Sequence, residues 1–205
     1  MTKPKIVVFI SGSGTNLQAL IDATKSGDLE CEIALVVSNK PGAYGLKRAE
    51  QNNIPTLVKT LKQYKDQGKT RLDYDIDLAT EVIEKLECTP SLIVLAGFMH
   101  ILSADFLQLF PKDSVINLHP ALPGAFDGAK AIERAFEAFQ KGEIEHTGVM
   151  VHRCIPEVDR GTVIVKQICP IEKTDTLTDL EERIHKIEHE LIVQGTGLAL
   201  MMANK

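Results

Sequence analysis

Short runs of consecutive apolar residues, many of them β-branched, alternate along the chain with longer segments in which apolar residues recur at helical spacing. Several runs are apolar at successive positions, which is typical of strands covered on both faces in a parallel sheet. The predicted strands are Lys5 to Ile10, Glu32 to Ser38, Leu92 to Ala96, Val115 to Leu118, Gly148 to His152 and Thr162 to Ile168.

Helical periodicity fills most of the segments between these strands. The predicted helices are Asn16 to Lys25, Ala43 to Asn52, Arg71 to Leu86, Ser103 to Phe110, Ala129 to Lys141 and a last helix from about Leu177 toward Leu200. The polar, lysine-rich segment Lys59 to Gly68 is expected to form an exposed connection. The alternation predicts an α/β fold in a single domain, with a mostly parallel, doubly wound, Rossmann-like sheet and helices on both faces.

The charge of the chain argues against nucleic acid or an anionic membrane as a partner, because the net charge is -5 and the 23 basic residues are scattered. Small-molecule substrates are the expected partners. No apolar stretch approaches the roughly 20 residues that cross a bilayer. Met1 to Pro4 leads into a short apolar run that lacks the features of a signal peptide. We therefore expect a soluble, cytoplasmic protein.

The residues that could hold a metal have the wrong spacing. The four cysteines lie far apart and form no C-x-x-C pair, which argues against a zinc site and a disulfide scaffold. His185 to His189 spells the H-x-x-E-H pattern of some zinc proteases. A zinc site would need a third ligand from a downstream helix, and little chain remains. We therefore expect no metal.

Asn117 and His119 lie two residues apart at the end of a predicted strand, so their side chains point to the same side. An amide beside an imidazole can stabilise an oxyanion and move a proton. Alone, these residues favour a simpler interpretation, in which Asn117 caps the strand and His119 is a hydrogen-bonded loop histidine. Partners elsewhere in the chain must decide between the two.

Asp159 lies in a turn-rich loop after the strand that ends at His152. A carboxylate near His119 would raise the pKa of the imidazole and fix its tautomer, which would make His119 an acid charged near neutral pH. An ordinary turn aspartate is the alternative. His152 could lie near the pocket or be a satisfied core histidine.

A glycine-rich loop, Ser11 to Asn16, follows the first strand and opens a helix, where free backbone N–H groups bind phosphate well. Leu17 stands where a dinucleotide-binding loop has its third glycine, and no Gly-Lys-Ser/Thr follows, so neither that motif nor a P-loop is present. The small side chains of Ser13 and Thr15 favour a compact monophosphate. A tight turn with a capping side chain is the alternative.

Four motifs, in order along the chain, resemble the phosphoribosylglycinamide formyltransferase family. They are Ile10 to Ala19, Leu95 to Ser103, Asn117 to Pro120, and Asp159. The resemblance covers essentially the whole chain and implies a formyltransferase-type fold. It implies an enzyme that transfers a formyl group from 10-formyltetrahydrofolate to the glycinamide amine of 5′-phosphoribosylglycinamide in purine biosynthesis. It further implies a phosphate-binding half over about 1–110 and a catalytic, folate-binding half over about 111–205.

The resemblance also implies the roles of individual residues, with Asn117 as the oxyanion donor and His119, tuned by Asp159, as the general acid. The residues implied to bind phosphoribosylglycinamide are Gly14, Thr15, Asn16, Leu17, Gln18, Lys186 and Glu188. The residues implied to bind folate are Arg71, Met99, His100, Ile101, Leu102, Asn117, Ile155, Pro156, Glu157, Val158 and Asp159.

The chain departs from the commonest family pattern in the loop Pro120 to Gly128, at Met150, and at Arg160, which replaces a glycine. A formyltetrahydrofolate hydrolase and an aminoacyl-tRNA formyltransferase would use the same chemistry. The glycine-rich loop disfavours the hydrolase, which needs no substrate phosphate. The acidic net charge and the lack of an RNA-binding domain disfavour the tRNA enzyme. A non-catalytic nucleotide-binding module would leave the three catalytic candidates without a common task. We expect a monomer or weak homodimer.

Overall fold

The described part of the chain, residues 3–203 of the computed structural model, contains one sheet of seven strands. The strands are β1 Lys5–Ile10, β2 Glu32–Ser38, β3 Thr56–Val58, β4 Leu92–Leu95, β5 Val115–His119, β6 His146–Arg153 and β7 Val163–Pro170. Their order in the sheet is β3-β2-β1-β4-β5-β6-β7. Pairing is parallel from β3 to β5, whereas β6 runs antiparallel to β5 and β7 antiparallel to β6. The predicted mostly parallel α/β sheet is confirmed.

Helices cover both faces of this sheet. They are α1 Thr15–Ser26, α2 Tyr44–Gln51, α3 Leu61–Asp66, α4 Arg71–Leu86, α5 Ala104–Gln108, α6 Ala131–Gln140 and α7 Leu177–Ala203. Successive residues of β1 belong to two different apolar clusters, since neighbouring side chains of a strand point to opposite faces. Ile6 and Val8 pack with α1 and α7, whereas Val7 and Phe9 pack with α4 and α5. Each fully buried side chain of this size contributes about 1.5–3 kcal/mol.

The exposed connection predicted over Lys59 to Gly68 is wrong in part, because α3 forms within it. Tyr64, the buried residue of α3, packs edge-on against Tyr74 with 5.3 Å between ring centroids. A helix with one buried side chain has no apolar stripe, so periodicity does not reveal it. The short strand β3 also lies outside the predicted elements, because three residues carry too little alternation.

The long helix α7 packs against α1, β6 and β7 and completes one face of the molecule. Gly195 permits this close approach, since a Cβ atom there would lie 2.8 Å from the Val151 side chain of β6. The contact with α1 brings Glu188 of α7 beside Asn16 in the first turn of α1. One end of the glycine-rich loop is therefore covered by the C-terminal helix.

Candidate active site

The ends of β1, β2 and β4 meet at one edge of the sheet and are tied together by Ser11. Its hydroxyl donates to Asn39 Oδ1 over 2.7 Å and accepts a bond from the Met99 amide over 2.7 Å. Strand order reverses at β1, which lies between β2 and β4. Ligands of open α/β sheets bind in the crevice at such a position. Ser11 thus joins the glycine-rich loop to the segment that follows β4.

Asn117 and His119 occur on β5 as predicted, and the antiparallel partner β6 places His152 directly opposite Asn117. The Asn117 side-chain amide donates to Asp159 Oδ1 over 3.2 Å and lies 3.2 Å from His152 Nε2. The structure therefore brings all three predicted catalytic residues together. It adds His152, which the sequence left between a residue near the pocket and a satisfied core histidine.

Asp159 is the centre of this cluster and is contacted by three groups besides Asn117. The Gly128 amide donates to Oδ2 over 2.8 Å, His119 Nδ1 lies 3.5 Å from Oδ2, and His152 Nε2 lies 3.3 Å from Oδ1. Burial alone would raise the pKa of Asp159, but the bonds from His152 and Gly128 and the two imidazoles lower it overall. The carboxylate therefore stays ionised in a largely buried site.

The pKa of His119 lies below its ordinary value of 6.5, contrary to the sequence-based expectation. Burial of the imidazole is the largest cause and His152 adds to it, whereas Asp159, the Phe126 carbonyl and Asp127 oppose it. Asp159 does favour the charged imidazole, as expected, but desolvation outweighs it. His119 is thus predominantly neutral at pH 7 in this geometry.

The loop after β5 holds one nitrogen of His119. Phe126 adopts a left-handed backbone conformation with φ 52°, and its carbonyl accepts a bond of 3.2 Å from His119 Nε2. The neighbouring Asp127 pairs with Arg160 over 2.6 Å, which joins this loop to the loop that carries Asp159. Arg160, one of the departures from the family pattern, thus links the two loops that flank the cluster of Asn117, His119 and Asp159.

His152 is fixed on its other side by the backbone. Its Nδ1 donates to the Arg153 carbonyl over 2.9 Å, which leaves Nε2 directed at Asn117 and Asp159. Of the two interpretations of His152, the one near the pocket holds. Only the β5–β6 register could have indicated this, and register is not visible in a single sequence.

The glycine-rich loop has the shape predicted for an anion cradle. Gly14 has a left-handed φ of 70° at the N-cap of α1, and no side chain caps this helix end. A Cβ atom on Gly14 would lie 2.6 Å from the Gly45 Cα atom of α2, so both positions need glycine. The first-turn amides of α1, including those of Thr15 and Asn16, therefore remain directed toward the crevice.

The remaining predicted substrate residues lie in different surroundings. Leu17 is fully buried in the core, so only its backbone can reach a ligand. The Gln18 side chain bonds to Asp22 and Arg48 within the protein. Lys186 is exposed beside Asp179 and Glu182, which lie on a different face of α7 from Glu188.

Glu188 lies in a buried polar cluster between α7 and α1. Desolvation raises the pKa of this carboxyl to about 7, with a smaller opposing effect of Asn16. His185 Nε2 lies 3.9 Å from Glu188 Oε2. Asn16 Oδ1 and His189 Nε2 are buried without hydrogen-bond partners. Unmatched buried groups are costly and recur at ligand sites, so this cluster is a candidate contact for a polar ligand.

The segment after β4 is supported from beneath by Asp75, a fully buried carboxylate that sequence reasoning missed. Asp75 Oδ1 lies 2.6 Å from His100 Nε2, and Asp75 Oδ2 accepts the Ser103 amide over 2.9 Å. Arg71, at the start of α4, donates to the Ile101 carbonyl. The structure thus brings Arg71 to the predicted folate segment and gives His100 a supporting position.

The predicted folate residues also include apolar groups that remain exposed. Met99 is 72% exposed and Ile101 54% exposed, whereas Leu102 is buried. In the loop after β6, the exposed residues are Ile155, Pro156 and Glu157, whereas Val158 and Asp159 are partly buried. An apolar ring could be covered by these side chains.

Two further properties concern residues 3–203 as a whole. They hold no group of three or more His, Cys, Asp or Glu side chains arranged to bind a metal ion. No helix in this part of the chain is both long enough and apolar enough to cross a membrane.

Comparison with known proteins extends these observations. The model of a family described as formyl transferase matches residues 4–196. The chain belongs to the formyl transferase family. Phosphoribosylglycinamide formyltransferase of Schizosaccharomyces pombe is 53% identical over 197 residues, which cover 93% of this chain and 94% of that protein. The protein of the same name from Dictyostelium discoideum is 49% identical over 200 residues, covering 94% and 96%.

Solved structures of formyl transferases share the architecture. Glycinamide ribonucleotide transformylase 1 from Geobacillus kaustophilus has a TM-score of 0.86 at 34% identity, covering 97% of this chain and 99% of that chain. Phosphoribosylglycinamide formyltransferase from Coxiella burnetii has a TM-score of 0.84 at 36% identity, covering 98% and 88%. The predicted relationship, the formyltransferase-type fold and the assignment as a formyltransferase enzyme are confirmed.

Proposed function

We propose that the enzyme transfers a formyl group from 10-formyltetrahydrofolate to the glycinamide amine of 5′-phosphoribosylglycinamide, a step of purine biosynthesis. The observation that carries the proposal is the convergence of Asn117, His119 and Asp159 at the sheet edge that also carries the glycine-rich loop. The names of the relatives support the substrate, since those proteins are phosphoribosylglycinamide formyltransferases.

The reaction needs a hydrogen-bond donor that stabilises the oxyanion and a path for one proton. The amine nitrogen forms a bond to the formyl carbon, the bond from that carbon to the folate nitrogen breaks, and the amine proton ends on the folate nitrogen. The Asn117 amide is suited to donate to the oxyanion, and one such donor contributes about 3 kcal/mol. No covalent enzyme intermediate is required.

His119 is suited to move the proton in two steps. Because its pKa is lowered, the neutral imidazole can accept the proton that the attacking amine loses. Its Nε2 is engaged with the Phe126 carbonyl, so Nδ1, which faces Asp159, takes the proton. Asp159 stabilises the imidazolium until the proton passes to the leaving folate nitrogen. We thus propose proton shuttling rather than a histidine that is charged from the start.

His152 is proposed as a positioning residue for Asn117. His152 Nε2 faces the Asn117 amide, because its Nδ1 hydrogen is used by the Arg153 carbonyl. The two hydrogens of the Asn117 amide are directed at His152 and Asp159, and the oxyanion is proposed to take over one of them when the substrate binds.

The folate is proposed to bind between the segment after β4 and the loop 154–161. Exposed Met99, Ile101 and Ile155 offer apolar cover for the ring system. Arg71 offers a cation for the carboxylates of the folate tail. Glu188 and Asn16 are proposed to contact the ribose and glycinamide portion through their buried polar atoms.

The proposal is tested by following the absorbance of a formyl-folate analogue with and without glycinamide ribonucleotide. We expect turnover only when the ribonucleotide is present. Turnover without the amine would identify a formyltetrahydrofolate hydrolase instead. If the complete mixture gave no deformylation and no formylated product by mass spectrometry, the transferase proposal would be wrong.

A further inference from the structure

Arg48, on α2, contacts the glycine-rich loop from the side. Its Nε donates to the Ser13 carbonyl over 2.9 Å, and its Nη1 donates to Gln18 Oε1 over 3.1 Å. The guanidinium also lies over the Tyr44 ring at 5.1 Å from the centroid. These contacts fix a positive group beside the first turn of α1.

The contacts of Arg48 leave its charge without a counter-charge. Both hydrogen-bond acceptors are neutral, and in residues 3–203 every salt bridge involves other cations. A guanidinium has five N–H donors, so further donors remain for a ligand. The pKa of His189, on α7, is lowered by burial, by His185 and by the positive charge of Arg48. The Arg48 charge is therefore close enough to act on α7. A cation held in this way is suited to an anion.

Two more observations concern the ligand that this edge would take. No side chain caps the first-turn amides of α1, and Ser13 is exposed, so the loop is open to a ligand. Asn16 in the same turn is only 9% exposed, and its Oδ1 atom is buried without a partner. The open amides and the cation favour the phosphate of a ligand, and the orphan acceptor favours a hydroxyl or amine of the same ligand.

We infer that Arg48 is a binding residue for the phosphate of the substrate, acting together with the amides of Gly14 to Asn16. This inference rests on the proposed function for the identity of the substrate. Arg48 also positions the loop through the Ser13 carbonyl. The chemical class of ligand is a phosphate monoester on a sugar.

The test compares substrates with and without the phosphate. Arg48→Ala should raise KM for glycinamide ribonucleotide about 10- to 100-fold, since bonds between charged groups are the stronger kind. The value of kcat and the KM for folate should stay within about threefold. With the unphosphorylated glycinamide ribonucleoside, the variant and the wild type should have equal kcat/KM. The matched control is Lys47→Ala, which removes a neighbouring exposed charge of α2.

Two further variants separate charge from loop bracing. Arg48→Lys keeps the charge, whereas Arg48→Gln keeps a neutral hydrogen-bond donor. We expect Lys to retain more affinity for the ribonucleotide than Gln, with circular dichroism confirming that each variant folds. Equal losses with both substrates, or a Gln variant that matches the wild type, would overturn the inference.

Failure of the proposed function has a different signature. If the wild type transfers no formyl group, calorimetric titration with ribose 5-phosphate still decides the role of Arg48. Binding by the wild type and the Lys47→Ala control that weakens at least tenfold in Arg48→Ala would support the inference. Equal binding by all three proteins, or no binding by any, would contradict it.

Discussion

His119 and Asp159 show how burial decides the protonation of a single residue. A carboxylate 3.5 Å from an imidazole favours the charged form, yet the pKa of His119 is lowered because desolvation is the larger effect. The sequence predicted the partner correctly and the direction of the shift wrongly. Burial depends on the loops that close over β5, and no local pattern reports them.

Replacement of His119 by alanine should lower kcat by about 10²- to 10⁴-fold, the usual contribution of a positioned proton-transfer group. Binding of the ribonucleotide, measured by calorimetry, should remain within a few-fold, since the glycine-rich loop is separate. The control is His146→Ala, which removes an exposed histidine of β6. A variant with near-normal turnover would remove His119 from the mechanism.

In the Asp159→Asn variant, the acid limb of the pH profile of kcat should shift to lower pH. The carboxylate is the largest influence that raises the pKa of His119, so its loss lowers that pKa further below 6.5. The rate should also fall, because the imidazolium loses its counter-charge. Glu157→Gln, in the same loop, is the matched control and should leave the limb in place. An unchanged limb in Asp159→Asn would contradict the assignment.

At the scale of elements, the contact of α7 with α1 makes the stability of the folded protein depend on pH. Glu188 is buried against α1, and its pKa rises from 4.5 to about 7. The folded state therefore holds this proton more tightly than the unfolded chain does. The associated stability is fully present below pH 4.5 and is lost as pH rises through about 7.

Glu188→Gln should accordingly stabilise the protein by up to about 3 kcal/mol at pH 8, since each pKa unit corresponds to about 1.4 kcal/mol. At pH 4 the two proteins should differ little. Urea unfolding at both pH values measures the difference. Glu190→Gln, on the exposed side of the same helix, is the control. A variant that is equally stable or less stable at pH 8 would show that Glu188 ionises without cost.

A second element-scale link is the ion pair between Arg160 and Asp127. The Arg160 side chain is 55% exposed, so the pair should contribute less than about 1 kcal/mol to stability. Its role is geometric, because Asp127 adjoins Phe126, whose carbonyl bonds to His119. Arg160→Ala should therefore lower kcat about tenfold with little change in melting temperature. Arg160→Lys should restore most of the rate; equal rates for the Ala variant and the wild type would refute the link.

At the scale of the whole molecule, the sheet was largely predictable because its buried strands are written as apolar runs. Lys5–Ile10 and Val115–His119 are examples; the glycine-rich loop follows the first of them, and Asn117 and His119 lie at the end of the second. The antiparallel direction of β6 was not predictable, and with it the position of His152. The roles of Arg48 and Asp75 could not be predicted for the same reason. Each residue contacts a loop distant in sequence, and only the packed fold creates these contacts.

The packing of the molecule also makes Gly161 irreplaceable. A Cβ atom there would lie 1.7 Å from the Arg153 carbonyl oxygen, so the chain must shift. Gly161→Ala should lower the free energy of unfolding by about 3 kcal/mol. Gly42→Ala, where a Cβ atom meets nothing within 4 Å, is the control. Guanidinium unfolding measures both, and equal stabilities would contradict the expected clash.

Gly161 also lies at one end of the loop 154–161, whose two ends are held together and whose middle is exposed. The Arg153 amide bonds to the Thr162 carbonyl over 2.9 Å, while Ile155, Pro156 and Glu157 at the tip are exposed. Changes in tip length cost little chain entropy once the ends are fixed. Insertions and substitutions at the tip should therefore leave Asp159 in its place, bonded to the Gly128 amide.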